Sequence, residues 1–184
     1  MFIQTEQTPN PATLKFLPGR EVMTAGTADF STADDAKRSP LAEHLFLIDG
    51  VAGVFLGSDF VTVTKDSDKE WHLLKPAILG AIMEHYTSGR PIIIAGEASA
   101  ETAGEGEESE IVAQIKDLID TRVRPAVAQD GGDIVFHSFE DGVVYLHMQG
   151  SCSGCPSSTA TLKAGIENML KHYVPEVVEV RAVM

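Results

Sequence analysis

The sequence predicts an α+β protein built as two small domains. Three observations carry this. Helical and alternating apolar periods interleave in both halves of the chain. An acidic stretch at residues 95–109, rich in small residues and without a large apolar side chain, separates those halves. Hydrophobic residues make up 43% of the 184 positions at a mean hydropathy of +0.02, enough for packed cores on either side. The division expected is an N-terminal domain over residues 1–90, a flexible acidic linker over 91–108 and a C-terminal domain over 109–184. A segment like 95–109 cannot bury enough surface to order itself, and as a coil it spans roughly 20 Å on average.

The first half opens with two short strands, residues 2–6 and 13–17, around Thr8-Pro9-Asn10-Pro11, a turn whose prolines preset φ and withhold donors. Pro18-Gly19 closes the second strand. Ser39-Pro40 marks a helix start, serine as cap and proline in the first turn. Leu41, Leu45 and Ile48 keep its spacing until Gly50. Residues 51–56 and 60–65 flank Gly57-Ser58-Asp59 as a hairpin. A second helix is expected from near Leu74 to Tyr86, its stripe made by Ile78, Ile82 and Tyr86 with Leu79 and Met83 beside them.

The second half reads α-β-β-α-β, a three-stranded sheet backed by helices on one side. A helix from about Glu110 shows Ile111, Ile115, Leu118 and Ile119 on one face, and Arg124-Pro125 bends or ends it. Asp130-Gly131-Gly132-Asp133 is a turn in which Asx side chains cap their own backbone. Residues 134–139 and 143–148 form a hairpin about Glu140-Asp141-Gly142. A helix over residues 156–173, with Leu162, Ile166, Met169, Leu170 and Tyr173 inward, leads to a last strand at 177–183.

Charge and composition exclude several functions. The net charge is −13 and no basic face emerges, so neither nucleic acid nor an anionic membrane surface is an expected partner. No stretch approaches the roughly 18 apolar residues of a membrane span. The first residues lack a secretory or transit pattern, which suggests a soluble interior protein. Phosphate loops, nucleophile elbows and paired carboxylates are not apparent, so no enzymatic activity is expected. His44, His72 and His85 lack ligand spacing and read as surface or partly packed residues. Arg122 and Arg124 read as solvating a helix face or steering an acidic partner.

The chemistry concentrates in Gly150-Ser151-Cys152-Ser153-Gly154-Cys155-Pro156, which holds both cysteines of the chain. A C-x-x-C pair aims two sulfurs at one spot, suiting a disulfide or half of a metal site. Tetrahedral zinc and cubane iron–sulfur clusters each want four ligands. Pro156 at the first helical position makes Cys155 the cap residue, where unpaired N–H groups and the helix dipole favour a thiolate. Gly150 and Gly154 let backbone curve around bound atoms, and Ser157, Ser158 and Thr159 are candidate donors to sulfur. His137 and His147 share a hairpin and His172 ends the last helix, so zinc within one chain is poorly served. A dithiol oxidoreductase shares the spacing, but here proline follows the second cysteine and Trp71 lies in the other half.

The cysteine motif, continued through Ser157-Ser158-Thr159-Ala160-Thr161-Leu162-Lys163 and preceded by Arg124-Pro125 and Asp130-Gly131-Gly132-Asp133, resembles the C-terminal domain of NifU, the Nfu domain, over about residues 109–184. Thr8-Pro9-Asn10-Pro11-Ala12-Thr13-Leu14-Lys15-Phe16, Ser39-Pro40-Leu41-Ala42 and Asp59-Phe60-Val61-Thr62-Val63 resemble the Nfu N-terminal domain. The layout is similar to bacterial and mitochondrial Nfu-type proteins; full NifU has further cysteine-rich and ferredoxin-like domains that these two cysteines cannot supply. The resemblance implies an iron–sulfur cluster scaffold or carrier that takes cargo from upstream assembly proteins and passes it to apo client proteins. It assigns Cys152 and Cys155 as ligands of a [4Fe–4S] (or [2Fe–2S]) cluster bridging a homodimer, in the cytoplasm or, for a mature organellar form, the mitochondrial matrix. A thioredoxin-like dithiol oxidoreductase and an adaptor with structural zinc remain as alternatives. The N-terminal domain is implied to recognise clients or to position its neighbour.

Overall fold

The computed structural model describes residues 2–94, 110–153 and 156–183, the side chains of residues 156–158 excepted. The chain divides into two compact units, Met1–Thr102 and Ala103–Met184, each with its own helices and sheet, as an α+β reading expects.

In the first unit, strands β1 (Gln4–Gln7), β2 (Thr13–Leu17), β3 (Ala28–Phe30), β4 (Val51–Leu56) and β5 (Val61–Lys65) form an antiparallel sheet in the order β1-β2-β5-β4-β3. Helices α1 (Pro40–Phe46) and α2 (Trp71–Ser88) pack on it, and a 3₁₀ turn, Asp35–Arg38, precedes α1. Period-two alternation sends Leu14, Phe16, Val54, Leu56, Val61 and Val63 into a core with Leu41, Leu45, Leu74, Ile78 and Ile82. The opposite face carries a cross-strand row, Glu6, Lys15, Thr62, Phe55 and Asp29, set by the strand registers. Lys15 and Thr62 are buried there. Phe60 covers the row, 4.8 Å from the Lys15 ammonium and 6.0 Å from the Phe55 ring.

Ser39 caps α1 as its side chain accepts from Ala42 N at 3.2 Å, with Pro40 at the first position. The helix stops at Phe46, two residues before Ile48, and Gly50 follows at φ 103°. α2 starts at Trp71, ahead of the expected Leu74: the Glu70 carbonyl accepts from Leu73 N and Leu74 N, while the Glu70 side chain makes no cap hydrogen bond. The sequence therefore carries no cap signal there. Its buried stripe is Leu74, Ile78, Ala81, Ile82 and His85, whereas Met83 is exposed. β3 is too short to show alternation and exists through its pairing with β4. Beyond α2, Ile92 and Ile93 pack on this core and Ile94 N donates to Arg38 O. Most of the expected linker, residues 95–108, lies outside the described residues.

The second unit runs α3 (Glu110–Leu118), a π-helical segment (Ile119–Val123), α4 (Arg124–Gln129), β6 (Gly132–Glu140), β7 (Val143–Gly150), α5 (Pro156–Tyr173) and β8 (Glu179–Val183). As expected, the regular run of the first helix ends before Arg124-Pro125, but the chain stays helical through the π segment. Lacking an N–H, Pro125 leaves a carbonyl one turn back without its donor, and the ladder widens so that Arg124 N donates to Ile119 O. β6 and β7 form a hairpin through Asp141 and Gly142, both at positive φ (49° and 79°), and β8 joins β7 in parallel with α5 as the crossover. Ile115, Ile119, Val123, Ile134, Leu146, Ile166, Leu170 and Val180 make the core. Val174 and Val177 are buried before β8 begins, so the last strand is shorter than the apolar run suggests.

Candidate functional site

The cysteine motif leaves the end of β7 and enters α5. Its first half is held by the turn between α4 and β6. Ser151 Oγ donates to Asp130 O at 2.5 Å and Ser151 N to Gly131 O at 3.3 Å. Cys152 N donates back to Gln149 O, and Thr159 Oγ1, from the first turns of α5, donates to Cys152 O at 3.2 Å. Gly150 turns the chain at φ 61°.

Gly132 is where the turn meets the sulfur. A Cβ there would stand 2.5 Å from Cys152 Sγ and 3.0 Å from Cys152 N and from Ser151 Oγ, so only glycine admits this seat. The glycine pair therefore does more than permit a turn: Gly131 takes positive φ (79°), and Gly132 provides close approach.

Arg124 holds the turn from the other side. Its Nε donates to Asp133 Oδ1 at 2.9 Å and a terminal nitrogen to Oδ2 at 2.8 Å, a bidentate pair. Asp133 is 3% exposed and also accepts from Ile134 N, while Asp120 adds a second carboxylate to Arg124 at 3.3 Å. These carboxylates keep the guanidinium charged, its pKa raised chiefly by the Asp133 hydrogen bond. Reading Arg124 as a helix-face or steering residue is thus corrected, and Asp133 caps its own backbone as expected while anchoring the turn to α4. Arg122 lies over the Tyr173 ring at 4.9 Å.

Cys152 is turned away from solvent. It is 6% exposed and belongs to the apolar core of the second unit. Burial, then Asp130 and Asp133, push its thiol up to about 12, so it is protonated at neutral pH. Cys155, Gly154 and the side chains of Ser157 and Ser158 lie outside the described residues, and with them the expected thiolate at the α5 cap. Thr159 is described, and its hydroxyl meets a backbone carbonyl.

His137 is exposed on β6, His147 half-buried on β7, and His172 exposed near the end of α5, edge-on to Tyr173. Among the described residues, no group of three or more His, Cys, Asp and Glu side chains could hold a metal ion. His85 corrects the surface reading: it is 3% exposed, its Nε2 has no hydrogen-bond partner, and burial followed by His44 and Arg90 lowers its pKa. Among the described residues, no helix is long and apolar enough to cross a membrane.

Comparison with known proteins matches both units. The model of the scaffold protein Nfu/NifU N-terminal domain matches residues 3–89, and the NifU-like domain model matches residues 115–181. The human protein "NFU1 iron-sulfur cluster scaffold homolog, mitochondrial" is 54% identical, aligned over 100% of this chain and 72% of its own length. "NifU-like protein 4, mitochondrial" of Arabidopsis thaliana is 56% identical over 96% of this chain and 64% of its own length. The NFU1 homolog of Drosophila persimilis is 53% identical over 100% of this chain and 65% of its own. The chain thus spans about two thirds of the length of these relatives.

Proposed function

Because the chain belongs to the Nfu family, carrying its N-terminal domain followed by a NifU-like domain, we propose that it is an iron–sulfur cluster scaffold or carrier. In this reading residues 1–90 form the N-terminal domain, 91–108 the joining segment and 109–184 the cluster-carrying domain. Cys152 and Cys155 bind the cargo, and two chains together hold one [4Fe–4S] cluster. The observation that carries this is the ligand count. The whole chain has two cysteines, both in one C-x-x-C motif, where a cubane takes four thiolates. A second copy supplies the other two.

The residues around Cys152 fit a carrier that protects its thiol between loads. Seated against Gly132 and protonated, Cys152 resists metal and oxidant; ligation requires loss of its proton and a turn of residues 150–153 outward. The Thr159 and Ser151 hydrogen bonds give that loop a defined closed position. Release to an apo client follows when client thiols displace all four carrier sulfurs, each departing thiolate taking up the proton its replacement gives up. Upstream assembly proteins supply the cargo, and no catalysed reaction is needed. The relatives are named as mitochondrial, and a reducing interior compartment, cytoplasm or matrix, suits thiolate-bound cargo.

Anaerobic reconstitution with iron and sulfide, read by absorption and Mössbauer spectra and by mass in solution, tests the proposal. About four irons and four sulfides per dimer are expected. Either Cys152→Ser or Cys155→Ser should abolish loading and leave the circular dichroism unchanged. A monomer that keeps its iron through gel filtration refutes the shared site. Zinc without labile sulfide in anaerobically purified protein points to the structural-zinc adaptor, and disulfide reduction at catalytic rates without iron points to the dithiol oxidoreductase.

A further inference from the structure

The first unit has a cleft of about 500 Å³ that the cluster chemistry does not use. It lies at β1, the edge strand, whose register pairs Thr5 with Phe16 and Gln7 with Leu14. Directly paired residues share a face, so Thr5 and Gln7 point to the side on which β2, β4 and β5 bury their apolar core. Polar side chains at these two positions leave that face open to solvent at the sheet edge. Trp71 and Lys75, one turn apart at the start of α2, complete the cleft.

Its remaining wall is stiff before anything binds. Pro9 and Pro11 fix φ in the turn after β1. Thr8 Oγ1 donates to Asn10 O at 2.8 Å, Asn10 Oδ1 accepts from Ala12 N at 3.0 Å, and Thr13 N donates to Asn10 O at 3.0 Å. Asn10 is 5% exposed, so this network is internal. Trp71 Nε1 donates to Pro11 O at 3.2 Å, tying the indole to the turn. A wall ordered in this way loses little entropy on binding.

The cleft is also electrostatically incomplete. Lys75 forms no ion pair or hydrogen bond among the described residues, in a chain of net charge −13. We infer that this cleft docks an extended, acidic segment of a partner protein, which adds as a strand to β1 and places a carboxylate on Lys75. An edge strand offers outward backbone groups for such pairing, and alternate side chains of the added strand fall over the cleft. The carboxylate meets the Lys75 ammonium, and an apolar residue two positions along packs on Trp71 and the prolines. The site assigns the N-terminal unit to partner recognition, independently of how the cysteines bind cargo.

Trp71, the single tryptophan, reports directly on occupancy. The full chain carrying Cys152→Ser, free of cluster, is used to select from displayed nonapeptide libraries with a central Glu or a central Gln. Enrichment of Glu-centred sequences with alternating apolar residues is expected, and their synthetic peptides should shift Trp71 fluorescence saturably. Replacing Glu by Gln in the peptide, or Lys75→Glu in the protein, should weaken binding at least tenfold. Lys75→Glu should in turn favour the same peptides with Lys at the centre, a reversal that mere loss of structure does not produce. Failure of both libraries to enrich, equal binding of Glu and Gln peptides, affinity indifferent to Lys75→Glu, or an equal response to free acetate would each overturn the inference. None of these outcomes depends on cluster loading.

Discussion

Substituting Gly132 by alanine tests whether Cys152 is seated as described. The backbone at Gly132 is not in the positive-φ region, so alanine meets no conformational barrier. The obstacle is steric, because the new methyl lies 2.5 Å from the Cys152 sulfur and 3.0 Å from two further atoms. Overpacking of this kind costs about 1–3 kcal/mol, and alanine recovers roughly 0.5–1 kcal/mol of it by restricting the unfolded strand. A net loss of about 1–2 kcal/mol is expected in the second unit alone. With a urea m-value of about 1–2 kcal/mol/M, its midpoint falls by roughly 1 M. Hydrogen exchange of β6 and β7 amides reads that unit, while Trp71 fluorescence reads the first unit and should not change. The displaced sulfur should also react faster with a thiol reagent in a Cys155→Ser background. Gly80→Ala and Gly165→Ala, where a Cβ meets nothing within 4 Å, are the controls and should stabilise their helices by about 1 kcal/mol. If Gly132→Ala leaves unit stability and Cys152 reactivity unchanged, the close approach of Gly132 and Cys152 is wrong.

Arg124→Ala strands a buried Asp133 carboxylate and should cost about 3–5 kcal/mol in the second unit, with Arg124→Lys intermediate because one point charge replaces a two-pronged contact; urea unfolding by hydrogen exchange measures both. In Cys155→Ser protein, Cys152 should react with a thiol reagent at pH 8 on the order of 10³ times slower than a free thiol, because its pKa is pushed up to about 12. Because the unfolded chain gives up this proton first, the second unit keeps its stability up to about pH 9 and loses it as pH rises toward 12. His85 has the opposite sense: its lowered pKa means the unfolded chain binds the proton first, so the first unit loses stability as pH falls below about 6.5. His85→Phe should flatten that slope in Trp71-monitored urea titrations between pH 7 and 5.

Local signals were legible where the sequence states its own boundary. Ser39-Pro40 names a capped helix, Pro156 opens α5 as expected, and the alternation of Thr13–Leu17 marks β2 to the residue. Signals failed where a boundary is imposed from outside. Glu70 gives no cap bond, β3 has too few residues to alternate, and the π segment answers to Pro125 rather than to an apolar period. His85 reads as unremarkable because burial belongs to what packs over it. Within the site, the two cysteines are conspicuous from spacing alone, and Gly132 and Asp133 read as a turn, whereas the Arg124–Asp133 pair and the approach of Gly132 to Cys152 belong to the fold.

The sequence by itself determined the α+β class, the chain's acidic character and the pairing of its two cysteines in one C-x-x-C motif, because periodicity, charge and cysteine spacing are properties of the linear chain. Tertiary structure decided the surroundings of Cys152. A thiol that spacing offers as an open ligand is turned inward, since its pKa and exposure depend on neighbours 19 to 22 residues away at Asp130, Gly132 and Asp133. The same holds for the cleft at Trp71 and Lys75. Its two sides are more than 50 residues apart, and only the fold brings Lys75, without an ion pair among the described residues, to the edge of a sheet.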